Sequence, residues 1–94
     1  MTEITENEKL VLAVVPNSSA NAVEASLLED GFRVTRINSA GGFLKRGNVT
    51  VLIGARADQV DQIIEKIKSY VRPDEESDSG SAVFVLPVSR FTRV

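Results

Sequence analysis

Leu10 to Val15 is an unbroken apolar run rich in β-branched residues and stopped by Pro16. A short run of that kind reads as a strand covered on at least one face. Asn17, Ser18 and Ser19 then offer side chains suited to capping a helix, and Ala20, Val23, Leu27 and Leu28 follow at helical spacing to Asp30. Gly31 stands where a left-handed residue commonly ends a helix. From Phe32 to Ile37 apolar and polar residues alternate, as in a half-exposed strand, until Ser39-Ala-Gly-Gly42 breaks the pattern. Val49 to Ile53 reads as the next strand, ending at Gly54. The connection between these two strands is longer than the roughly two to five residues of an ordinary hairpin, and loops of that length are more often functional.

Asp58 to Val71 carries the clearest periodicity: Val60, Ile63, Ile64, Ile67 and Val71 form one stripe opposite Gln59, Gln62, Lys66 and Ser69. Asp58 and Asp61 near its start and Lys68 and Arg72 near its end suit the helix dipole. Pro73 to Ser81 is acidic and turn-rich, Ala82 to Leu86 is a final strand, and Met1 to Glu8 is polar and expected to fray. The order βαββαβ predicts one α+β domain over residues 1–94, of the ferredoxin-like kind. Its four-stranded antiparallel sheet would carry both helices on one face. The first strand is apolar on both sides (Val11, Ala13, Val15 and Leu10, Leu12, Val14), so the other sheet face needs a cover. A partner subunit is the simplest one.

Charge and composition narrow the function. With 11 basic against 13 acidic residues the net charge is −2, which argues against broad binding to DNA, RNA or an anionic membrane. The chain has no Cys and no His. That removes disulfides, thiolate nucleophiles, zinc–sulfur sites, the commonest general base and the commonest transition-metal ligand. Its longest apolar run is far short of the roughly 18 residues of a membrane span, and Glu3, Glu6 and Glu8 ahead of it replace the basic region of a signal peptide. A cytoplasmic location is expected, with no membrane insertion and no bound nucleic acid polymer. Ser18, Ser19 and Ser89 have no His and no convincing Lys partner for nucleophilic work, and cap or turn roles fit them better. The run Asp74-Glu-Glu-Ser-Asp78 fails the EF-hand spacing and reads as a solvated loop. No catalytic constellation survives, so the chain is expected not to be an enzyme and to need no cofactor.

The segment from Gly31 to Thr50 is different. It gathers Arg33, Arg36, Lys45 and Arg46 with Gly41, Gly42, Gly47 and the adjacent Phe43 and Leu44. Glycines let backbone N–H groups approach an anion, Arg and Lys pair with phosphate, and an exposed Phe stacks on a base. The same residues also fit a polar hairpin tip whose Phe43 and Leu44 tuck back onto the fold. It is not a P-loop, because no Gly-Lys-Ser/Thr follows.

Arg33-Val-Thr35, Gly41-Gly-Phe-Leu44, Gly47-Asn48 and the closing Val83-Phe-Val-Leu-Pro-Val88 with Phe91 resemble the PII-like cyclic di-AMP receptors. The resemblance implies a ferredoxin-like homotrimer with inward-facing sheets, working in signal transduction and binding a cyclic dinucleotide between subunits. By position it implies ligand contacts from Arg33, Thr35, Gly42, Phe43, Leu44, Asn48 and Gly54. The chain departs from the family pattern at Gly31, at Ser39-Ala40, at Arg93 and in the short stretch Pro73–Ser81. Two functions follow: a trimeric sensor of an adenine nucleotide, cyclic di-AMP first, or a trimer without that ligand that docks its loop onto a target protein.

Overall fold

The computed structural model describes residues 8–37, 47–71, 81–90, 92 and 94, and the fold is built from these. Strand β1 (Glu8–Pro16) leads into helix α1 (Asn17–Glu29), then β2 (Arg33–Ile37) and β3 (Asn48–Arg56). A 3-10 turn (Ala57–Gln59) enters helix α2 (Val60–Tyr70), and β4 (Ala82–Pro87) closes the order. The sheet runs β2-β3-β1-β4, antiparallel at every pairing, which is the expected ferredoxin-like arrangement.

Strand period two sorts the side chains onto two faces. Val11, Ala13 and Val15 of β1 and Val49, Val51, Ile53 and Ala55 of β3 point to the helices. They pack with Ala20, Val23 and Leu27 of α1, Ile63 and Ile67 of α2, and Phe32 and Val71. Seven of these residues are large and fully enclosed, among them Leu27, Ile53 and Ile63. Burying such side chains stabilises by about 1.5–3 kcal/mol each, against the chain entropy lost on folding. Ion pairs fasten the helical layer at its margins: Arg36 joins Glu24 at 2.9 Å and also donates to Asn21, while Lys66 joins Asp30. The hydrogen bond to Asp30 holds the Lys66 ammonium above its ordinary range.

Several boundaries differ from those the sequence predicts. Helix α1 is capped at Pro16, with no side-chain hydrogen bond; Asn17 lies inside the helix and its N–H donates to the Gly47 carbonyl at 2.7 Å. Its other end is as expected, with Gly31 at a φ of +90° and its N–H on the Leu28 carbonyl. β3 does not stop at Gly54 but runs on to Arg56, because Leu10 of β1 and Arg33 of β2 pair with Gly54 on both sides. The α2 segment begins as the 3-10 turn, where the Arg56 N–H donates to Gln59 Oε1 at 3.0 Å.

Candidate functional site

Among the described residues, no helix lies on the second sheet face. By register it carries Leu10, Leu12 and Val14 of β1, Asn48, Thr50, Leu52 and Gly54 of β3, Arg33, Thr35 and Ile37 of β2, and Ala82, Phe84 and Leu86 of β4. The face divides along its length. The β1–β4 half is apolar, with Phe84 53% and Leu86 43% exposed. The β2–β3 half is mixed, with a polar strip of Arg33, Thr35, Asn48 and Thr50 set among Leu52 and the exposed Ile37.

Four of the seven expected ligand contacts fall on this strip. Arg33 and Gly54 are direct cross-strand partners, Thr35 lies opposite Leu52, and Asn48 opens β3 opposite Pro16. Gly42, Phe43 and Leu44 lie outside the described residues.

Arg33 pairs with no other described residue, unlike Arg36, whose guanidinium is held by Glu24 and Asn21, and Arg56, which meets Asp58 at 3.2 Å. It therefore stands on an exposed sheet edge with its donors uncommitted among the described residues, the form in which guanidinium serves phosphate or carboxylate. Gly54 beside it has ordinary strand geometry, and a Cβ built there meets nothing within 4 Å. Neither backbone strain nor a close neighbour inside the chain requires glycine at this position, although glycine weakens a strand. What the missing side chain leaves is room for a molecule to approach the strand backbone between Arg33 and Leu10.

Thr50 was not singled out by the sequence pattern, where it reads as one more β-branched strand residue. Counting in twos back from Gly54 through Leu52 would have put it on the same face as Asn48.

Among the described residues no three acidic, His or Cys side chains gather as a metal site. Among the same residues, no helix is long and apolar enough to cross a membrane.

The fold is that of a PII-like α+β protein. The cyclic-di-AMP receptor family model matches residues 8–79, most of the chain, and the protein belongs to that family. The chain is similar to a functionally unknown protein from Pediococcus pentosaceus, at a TM-score of 0.74 and 29% identity, covering 96% of this chain and 100% of that one. It is also similar to Arabidopsis thaliana PII bound to citrate, at a TM-score of 0.70 and 28% identity, over 96% of this chain and 82% of that one.

Proposed function

We propose that the protein is a non-enzymatic sensor that assembles as a homotrimer and binds cyclic di-AMP at the subunit interfaces. The observation that carries this reading is the divided sheet face. Its apolar half, with Phe84 and Leu86 bare, calls for burial against another subunit. Its polar strip then borders that interface and offers Arg33 to phosphate, Thr35 and Asn48 to base or phosphate, and the open space over Gly54 to the ligand's approach. Membership of the cyclic-di-AMP receptor family supports the choice of ligand. Phe43 and Leu44 would pack on the base and Gly42 would admit it.

Size exclusion coupled to light scattering, followed by calorimetric titration, tests the reading. The expected result is a trimer mass and saturable binding of cyclic di-AMP, with cyclic di-GMP, AMP, ATP and citrate as comparisons. A monomer at micromolar concentration would sink it, since the site needs two subunits. A trimer that binds none of these nucleotides would leave docking onto a target protein as its mode of action.

A further inference from the structure

Thr50 is only 4% exposed, and its Oγ1 is buried with no hydrogen-bond partner among the described residues. It lies in the last full row of the sheet face turned away from the helices, with the likewise buried Val14 opposite on β1, Ile37 opposite on β2, and Asn48 and Leu52 on either side along β3. A buried hydroxyl without a partner is costly, and valine would fill the same volume, drop the unmet bond and suit a strand as well. The contrast within the chain is Ser26, also buried, whose hydroxyl donates to the Val23 carbonyl at 3.0 Å. Nothing in the core explains the Thr50 hydroxyl, because the residue faces away from it.

We propose that Thr50 is a ligand-binding residue, the deep hydrogen-bonding group that reads the base edge of the bound nucleotide. The inference rests on the cyclic di-AMP reading above and extends it to a residue the family resemblance did not supply. Position separates the roles of the strip. Arg33 pairs with Gly54, four residues from Thr50 along β3, about 13 Å away at the usual strand rise. Phosphate belongs at the Arg33 end, where the surface is exposed and cationic. Thr50 is flanked by Val14, Ile37 and Leu52, surroundings that disfavour a charged phosphate but accept the flat apolar body of a purine. A hydroxyl both donates and accepts, so it meets either the amino group or a ring nitrogen of adenine. Because the whole residue is only 4% exposed, the base edge reaches Oγ1 only when the side chains around it part.

The test compares Thr50→Val and Thr50→Ser with the parent by titration with cyclic di-AMP at low and high salt, after trimer mass and melting temperature. Thr50→Val is expected to keep the trimer and a melting temperature no lower than the parent's, yet bind about tenfold more weakly, the scale of one buried hydrogen bond. Thr50→Ser is expected to stay within threefold of the parent. The Thr50→Val loss should be the same at both salts, because a neutral contact is little screened. Binding by Thr50→Val within twofold of the parent overturns the inference while the cyclic di-AMP reading stands. A loss that shrinks at high salt moves the hydroxyl to phosphate and overturns the base assignment. A parent that binds no cyclic di-AMP overturns both. If Thr50→Val fails to assemble, Thr50→Ala is judged by the same limits.

Discussion

Arg33 and Arg36 leave the same short strand on opposite faces. Arg36 turns toward α1 and is tied to Glu24 and Asn21, so its charge serves to pin an edge strand to a helix. Arg33 turns to the open face and pairs with no other described residue. If it meets a phosphate, Arg33→Ala weakens cyclic di-AMP binding by about 1.5–3 kcal/mol, the worth of a hydrogen bond to a charged group. Thr35→Val, which removes one neutral hydroxyl from the same face, should cost less, about 0.5–1.5 kcal/mol. Arg56→Ala is the comparison: that guanidinium is exposed and pairs only with Asp58 among the described residues, so binding should hold within error. Titration of the three variants ranks them. Equal losses for Arg33→Ala and Arg56→Ala would reduce the effect to general charge.

At the scale of the element, β3 is the strand on which fold and site meet. One face of it supplies Val49, Val51 and Ile53 to the core, and the other carries Asn48, Thr50 and Gly54, where the ligand is proposed to bind. Gly54→Val separates the two jobs. An added Cβ meets nothing within 4 Å and valine favours a strand, so melting temperature should hold or rise while cyclic di-AMP binding is lost. Thermal melting beside titration checks this, and lost folding with lost binding would mean that Gly54 serves the subunit itself.

The same strand shows what the sequence makes legible. β1 and the α2 stripe are readable because their apolar spacing is set by burial, which period alone reports. The end of β3 is not, since Gly54 signals a break only when its cross-strand partners are unknown; Leu10 and Arg33 carry the ladder through it. The α1 start misleads for a related reason: Asn17, Ser18 and Ser19 suit a cap, but the Gly47 carbonyl, distant in sequence, receives the Asn17 N–H. Arg33 and Thr35 are legible as exposed strand residues, and a motif suggests their ligand. Thr50 is silent because one buried threonine resembles another until register shows which face it occupies.

For the whole molecule, the proposed assembly rests on the uncovered face. β4 exposes Phe84 and Leu86 on that face and Val85 on the other, so this edge strand is bare on both sides. Phe84→Glu places a charge at the centre of the proposed interface, where burying it unpaired is strongly unfavourable. The expected outcome is a folded monomer by light scattering with no cyclic di-AMP binding, although Phe84 lies off the polar strip. A Phe84→Glu trimer that binds normally would place the subunit contact elsewhere.

The position of β1 between β3 and β4 also bears on how the chain reaches this state. Leu10 pairs with Leu86, so the first strand made during synthesis waits for the last before its second edge is closed. Until then its backbone N–H and C=O groups stand open beside a face of Leu10 and Leu12, an aggregation-prone edge on the nascent chain. Contacts this distant along the sequence slow folding through the entropy of closing the long loop between them. The feature that makes β1 the centre of the finished sheet thus makes it the most exposed element of the unfinished one.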